Sequence, residues 1–453
     1  MYKSNRTANR ASDIMLDSVE GGRMRKRVFL LFALLLLVGS LLAACGGEEA
    51  AAPAEEPAAP AEPAAAPAEE PAESSAAAGE PIVIGAAVSE SGWAVTWGVV
   101  PARMAQFAIE DINANGGVLG RPLELVIADD ESDFAANGAA AAIDVIEQGA
   151  VVVATNCDFD WSAPAATEAV SRGIPTISWC AGAPNFGAQG LSELSFSAGI
   201  ATPNEAAIPA EWAYNEQGWR SVFLLNDTSI DYDTTYCRAF GARFEELGGT
   251  VIDTADFEQT DVQLGPVITR YQSLDVTPDF ITLCSYPTGG ATAIRQLRAA
   301  GVDTPLFMNV GMAGDWWFEQ VGEPLSNAWQ GTYGSWVGDD PRELINDLSA
   351  RYLERYGERM PWPYTFMGYQ AIQLVADAIE RAGGTDGTAI ADALRTADIE
   401  GVIGRHTMNA DFNHSFTLPV TIMQIENGEA SFLGVFEAQE DYSRLVPASQ
   451  GIE

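Results

Sequence analysis

The sequence predicts an α/β protein built from two doubly wound parallel-sheet lobes, and three observations carry that expectation. From residue 81 onward, short apolar runs alternate with longer segments of helical period, which means crossover connections and parallel strands. The alternation restarts near residue 201, so the strands divide into two sheets. A chain of 453 residues also exceeds one ordinary core.

The elements follow in order. Residues 82–88 read as the first strand. A helix is expected over 101–113, where Met104, Ala108 and Ile112 share one face, and Asn115-Gly116-Gly117 ends it. Residues 123–128 form a second strand, 135–148 a helix and 151–153 a third strand. A helix over 162–171 and a strand over 174–179 complete the first set. In the second set, helices are expected over 203–216, 233–247, 262–273 and 292–300. Its strands are expected over 221–226, 250–254, 279–283 and 305–309. Helices over 342–356, 364–382 and 390–395 precede a last strand over 418–425. Ligands in open parallel sheets bind beyond the carboxyl ends of the strands. At such an end lies Cys157-Asp158-Phe159-Asp160-Trp161, two carboxylates beside two aromatic rings.

The front of the chain belongs to no core. Arg23-Met24-Arg25-Lys26-Arg27 is a basic head, and the apolar run over 28–44 is short for a spanning helix, which needs roughly 20 residues. It ends in Leu42-Ala43-Ala44-Cys45-Gly46-Gly47, which resembles a bacterial lipobox. Residues 1–45 are therefore expected to be a signal peptide with Met24 as initiator and Cys45 lipidated; a plain signal peptide with a chance cysteine is the alternative. Residues 46–80 are almost all Ala, Pro and Glu and read as a disordered tether between lipid and folded domain. The folded domain is expected over 81–453.

The chain holds 24 basic and 63 acidic residues, a formal charge of −39. Seven basic and twelve acidic residues lie within 1–80, which leaves 17 against 51 in the remainder. So acidic a surface excludes nucleic acid and anionic lipid as partners. The only lysines, Lys3 and Lys26, lie in the leader, which excludes a Walker phosphate loop and a lysine Schiff base in the folded part. The only histidines, His406 and His414, are far in sequence from every cysteine, and no cysteine pair has zinc spacing. Neither a cofactor nor a metal is expected. Asp227, Asp231 and Asp233 miss the calcium-loop spacing and read as a solvated turn.

Several stretches together resemble the periplasmic binding proteins of the branched-chain amino-acid type. They are Val83-Ile84-Gly85, Ser91-Gly92 with Trp97-Gly98, and Asp111-Ile112-Asn113-Ala114-Asn115-Gly116-Gly117-Val118 followed by Gly120-Arg121-Pro122-Leu123. Asn226-Asp227 with Tyr232, Arg295-Gln296-Leu297-Arg298-Ala299-Ala300-Gly301 and Gly368-Tyr369-Gln370-Ala371 continue the series. The resemblance spans residue 81 to about 446 and implies a type I clamshell with a three-strand hinge, feeding an ATP-driven importer. Lobe 1 would take about 81–200 and 337–413, and lobe 2 about 201–336 and 414–446.

The resemblance also implies a site. The family's carboxylate-binding hydroxyl falls at Asp158, with Phe159 beside it, while amides near Ser162-Ala163-Pro164 still offer an anion seat. A second hydroxyl position falls at Gly182, after Cys180 and Ala181, and the ammonium-binding acid falls at Gly311. Ring-bearing positions match at Trp97, Tyr232, Tyr286 and Tyr364, with Trp93 and Trp161 as possible additions. Carboxylates near rings suit an ammonium, so Asp158 or Asp160 is a candidate replacement for the missing acid. For Asp160 and Trp161 the opposing reading is a helix cap and surface packing. Trp316-Trp317 reads as core or hinge packing. Cys157 and Cys180 end adjacent strands and form a possible disulfide, Cys237 and Cys284 a second; free thiols are the alternative.

The expected function is an extracytoplasmic, lipid-anchored, monomeric substrate-binding subunit of an ABC importer, working with a membrane permease. Its solute would be small and polar, such as an amino acid or a related amine or amide. A sensor of the same fold, signalling to a membrane partner, and an extracytoplasmic amide hydrolase are the alternatives.

Overall fold

A computed structural model describes residues 79–260 and 263–445. The signal peptide, Cys45 and nearly all of the tether lie outside the described residues, as does the end of the chain after 445. The first lobe carries strands β1 (Ile82–Val88), β2 (Leu123–Asp129), β3 (Val152–Thr155), β4 (Thr176–Ser178) and β5 (Ser195–Ser197). They are all parallel, in the order β2-β1-β3-β4-β5, and helices α1 (Val95–Ala114), α2 (Phe134–Glu147) and α3 (Phe159–Ser171) make the crossovers.

The second lobe carries β6 (Ser221–Asp227), β7 (Thr250–Phe257), β8 (Phe280–Cys284), β9 (Leu306–Met308) and β10 (Ala328–Thr332). Helices α4 (Thr202–Asn215), α5 (Asp231–Glu246), α6 (Gly265–Gln272) and α7 (Pro287–Ala299) accompany them. Then follow α8 (Glu343–Tyr356), α9 (Thr365–Ala382) and α10 (Gly387–Leu394). The small strands β11 (Asp398–Gly401), β12 (Gly404–Asn409) and β13 (His414–Ser415) form an antiparallel sheet. The final hairpin is β14 (Val420–Glu426) and β15 (Glu429–Phe436). It extends the second sheet antiparallel at the β10 edge, in the order β15-β14-β10-β9-β8-β6-β7.

Strand patterning places the cores. Along β6, Val222 and Leu224 face one way, toward Phe240 and Phe244 of α5, while Phe223 and Leu225 face the layer of Val267, Ile294 and Leu297. In the first lobe the layer under α2 and α3 is built mainly from alanine, with Ala141, Ala142, Ala165 and Ala169 against Ala87 and Val153. Small side chains let these helices lie close on the sheet. No described helix is long and apolar enough to cross a membrane.

The structure departs from expectation in particular places. Helix α1 starts at Val95, not 101; Pro101 lies inside the helix instead of opening it. β5, β10 to β13 and β15 were not expected; β10 is a strand although Gln330 and Gly331 interrupt its apolar pattern. Gln330 is tolerated in the core because its amide donates to Met312 O at 3.0 Å and Gly314 O at 3.2 Å. The cysteines are not free thiols: Cys157 pairs with Cys180 and Cys237 with Cys284.

Helix α9 packs on α1 through Gly368, where an added Cβ would stand 1.8 Å from Pro101 O. Gly368→Ala is expected to force the two helices apart and cost about 3 kcal/mol, the upper range for overpacking. A lowered urea midpoint at unchanged slope is the outcome to look for.

Candidate functional site

The site starts at the tips of the first-lobe strands. Asn156 follows β3 and fastens its neighbours. Its Oδ1 accepts from Ser89 N at 3.1 Å and its Nδ2 donates to Asp130 Oδ2 at 2.6 Å. Its carbonyl accepts from the hydroxyls of Ser162 and Ser178. The next residues, Cys157 and Asp158, are thus held on a fixed frame, and the Cys157–Cys180 disulfide ties this tip to the loop after β4. Asp158 has φ +66°, a conformation non-glycine residues rarely adopt, and it precedes α3. Its buried carboxylate accepts from the Tyr286 hydroxyl of the second lobe at 2.7 Å. Burial pushes the Asp158 carboxyl up to about 7, with the Tyr286 hydrogen bond restraining the rise and Asp160 and Asp231 adding to it.

Two further carboxyls come from the second lobe. Glu205 sits in the first turn of α4, just after the chain crosses between lobes at Ile200, where Ile200 pairs with Ser415. Its oxygens accept from Tyr232 and, at 2.9 Å, from Tyr333. Burial pushes it up to about 8 against those two hydrogen bonds. Asp233 lies in the first turn of α5, where Oδ1 accepts from Asn309 at 2.8 Å and Oδ2 has no partner. Burial raises its carboxyl far above the usual range, and Asp227 and Asp158 add to that. The groups acting on all three are carboxyls, phenols and an amide, and no arginine is among them.

Aromatic rings enclose these carboxyls. Trp97 contacts Trp362 with centroids 4.6 Å apart, Trp161 at 5.5 Å and Tyr286 at 5.7 Å. Tyr286 meets Tyr232 at 6.0 Å, and Tyr364 meets Tyr333 at 5.6 Å. Trp93, 60% exposed, forms the rim with Phe134 and Trp161. The lobes therefore meet ring to ring, reinforced by Asn185 Nδ2 donating to Asp231 Oδ2 and Asp231 N to Asp160 Oδ2.

The expected residues divide. Trp97, Asp158, Tyr232, Tyr286 and Tyr364 come together, and Trp161 joins them, buried instead of packing on the surface. Asp160 is exposed and does not cap α3; the cap position is Asp158. Phe159 packs with Ala166, Ala181 and Phe186, apart from these rings. Cys180 is in the disulfide. Ala181 and Gly182 serve the crossings: Ala181 O bonds His414 Nε2 at 2.9 Å, and Gly182 O accepts from Thr202 N at 2.8 Å. At the seat near Ser162 the hydroxyl is spent on Asn156 O and the Ser162 amide on Asp158 O, and Asp158 and Asp160 flank the helix start. A Cβ at Gly311 would meet Ser285 O at 2.8 Å and the Tyr232 ring at 3.3 Å, so no acid fits there.

The solvated-turn reading is overturned for Asp227 and Asp233, which are both fully buried; Asp227 is held by Ser285 Oγ at 2.7 Å. Glu205, Tyr333 and Trp362 escaped the sequence reading. The available signal for Glu205 was a carboxylate within a run of Ala, Ile, Pro and Trp that leaves no polar face. Trp316 is partly exposed against Trp362, and Trp317 is core, donating to Met312 O.

The fold has counterparts. A Leu/Ile/Val-binding protein, BraC3 of Rhizobium johnstonii, is 23% identical over 329 residues, covering 72% of this chain and 87% of its own. The structure of the branched-chain amino acid transporter substrate-binding protein LivJ from Streptococcus pneumoniae, in complex with isoleucine, superposes with a TM-score of 0.67 at 23% identity. That match covers 79% of this chain and 100% of LivJ. A solute-binding protein from R. palustris in complex with benzoate gives a TM-score of 0.64 at 18% identity, covering 80% and 98%. A family model described as periplasmic binding protein matches residues 81–430, the span of both sheets and of the cleft between them. Two doubly wound lobes closing on a ring-lined cleft, and that match over most of the chain, make this chain a member of the periplasmic binding protein family.

Proposed function

We propose that the chain is the extracytoplasmic solute-binding subunit of an ABC importer, anchored by a lipid at Cys45 and acting as a monomer. It captures a small polar solute, an amino acid or a related amine or amide, and hands it to a membrane permease. The observation that carries the reading is the clasp of Asp158 in one lobe on Tyr286 in the other, among buried carboxyls inside a wall of rings. A solute entering there is stripped of water between lobes that close by hinge motion. The lobes are divided at about 200/201, 336/337 and 413/414; the two large sheets support the first of these, while β13 pairs with β12 and so ties His414 and Ser415 to the preceding segment. Binding suits the site, since its carboxyls are held by phenols and an amide.

A thermal-shift screen of the full chain against amino acids, polyamines, quaternary amines, amides and small carboxylates tests this. A true ligand at 100 times its Kd should add about 2.7 kcal/mol of stability. The shift is expected from ammonium-bearing solutes and should vanish in Asp158→Asn. Shifts from neutral or anionic solutes alone would remove Asp158 as the ammonium anchor and leave the binding role standing.

A further inference from the structure

We propose that the cleft is built for an organic dication without a carboxylate, of the short diamine class, rather than for an α-amino acid; this rests on the solute-binding reading above. Three carboxyls from two lobes converge inside it. Asp158, Glu205 and Asp233 are 2%, 1% and 0% exposed, and their hydrogen-bond partners are the hydroxyls of Tyr286, Tyr232 and Tyr333 and the amide of Asn309. Carboxylates buried without a cation are costly, and a bound cation removes that cost. A single ammonium answers one of three; a second leaves at most one to be kept neutral by a proton.

Unpartnered buried polar atoms also point to a missing guest. Asp233 Oδ2 has no partner, and neither has the hydroxyl of Tyr236, a fully buried ring 6.0 Å from that of Tyr232; the Tyr364 hydroxyl and Trp97 Nε1 are unpartnered too. The first two offer an acceptor to an N–H donor, and the rings of Trp97, Tyr232, Tyr286 and Tyr364 present faces that attract cations.

The donors at the tips of β3 and β4 are already committed. Ser162 and Ser178 hydroxyls donate to Asn156 O, and the amides of Cys180 and Ala181 donate to Ser178 Oγ. The start of α3 carries Asp158 and Asp160. An α-amino acid would set its own carboxylate against this acidic wall.

The test is calorimetric titration of the purified full-length chain near neutral pH with butane-1,4-diamine, butylamine, leucine and isoleucine. The diamine is expected to bind at least about 100-fold tighter than butylamine, as a second desolvated charge pair implies, with no heat from leucine or isoleucine. Since one of the three carboxyls is spare, at least one of Glu205→Gln and Asp233→Asn should weaken the diamine by about 30-fold or more, while both leave butylamine within about threefold. Both variants are near-isosteric, and each should melt no lower than the parent without ligand, which separates lost recognition from lost folding. Leucine binding as tightly as the diamine, butylamine matching it, or variants that leave the diamine untouched would overturn the charge assignment and keep the solute-binding role. Silence from this panel and from the wider screen would overturn both.

Discussion

Ligand-free protein carrying Asp158→Asn and Glu205→Gln is expected to melt close to the parent near pH 4 and progressively higher than it as pH rises toward 8. In the fold these carboxyls are pushed up to about 7 and about 8 by burial, whereas an unfolded chain ionises them in the ordinary acid range. A raised carboxyl contributes stability that is fully present below its unfolded value and is lost as pH rises through its folded value. Each group costs about 1.4 kcal/mol per pH unit while the fold keeps its proton and the unfolded chain does not. Asp233 is raised by burial too and adds in the same direction. His406, held down to about 3 by burial with His414 adding to the effect, works oppositely, but only below about pH 6.5, where an unfolded histidine takes up a proton. His406 is in both proteins, so the difference between them opens from about pH 4 and is complete by about pH 8. The double variant should recover several kcal/mol by pH 8, seen as a rise in melting midpoint of roughly 5 °C or more. Parent and variant midpoints that run parallel from pH 4 to pH 8 would show that these carboxyls are ionised without cost.

The second large effect is expected from Arg342→Ala. Arg342 grips Asp340 through two bonds of 2.8 Å, and it also donates to Ile403 O at 2.8 Å, Thr421 Oγ1 at 2.9 Å and Tyr333 O at 3.3 Å. It joins the segment leaving β10, the turn before β12 and the strand β14. The Asp340 side chain is fully buried; burial works to raise its carboxyl, but Arg342 and the amides of Ser335 and Arg342 hold it below its usual value. Removing Arg342 strands that charge, and the expected loss is about 3–5 kcal/mol by chemical denaturation. Arg342→Lys should recover little, because one ammonium cannot span both carboxylate oxygens and two carbonyls. A loss under about 1 kcal/mol would mean that Asp340 rehydrates freely.

Much of the fold was legible because its strands announce themselves by composition. The first strand, 82–88, was read to its ends, since Pro81 opens the apolar run and Ser89-Glu90-Ser91 closes it. Proline misled the next element: Pro101 suggests a helix start, yet α1 already has six residues before it. Strands such as Ser195–Ser197 and Ala328–Thr332 carry too few apolar side chains to signal burial on both faces. The first-lobe half of the site was readable, because strand tip, carboxylate and rings are adjacent in sequence. The second-lobe half was not: Glu205 finds its phenols 27 and 128 residues away, and the missing polar face around it marks burial without naming those partners. Asp233 likewise looked like part of a wet loop until the fold placed Asn309 against it.

The two disulfides each join neighbours along the chain, 23 and 47 residues apart, and neither loop encloses or interleaves with the other. With Cys45 committed to a lipid, as proposed, four thiols allow three pairings, and the native one joins each cysteine to the next to emerge. A chain delivered N-terminus first would meet an oxidant in the correct order, so oxidation by simple succession yields the native set without reshuffling. Neither bond bridges the two lobes, so oxidation sets each jaw separately and leaves the angle between them free.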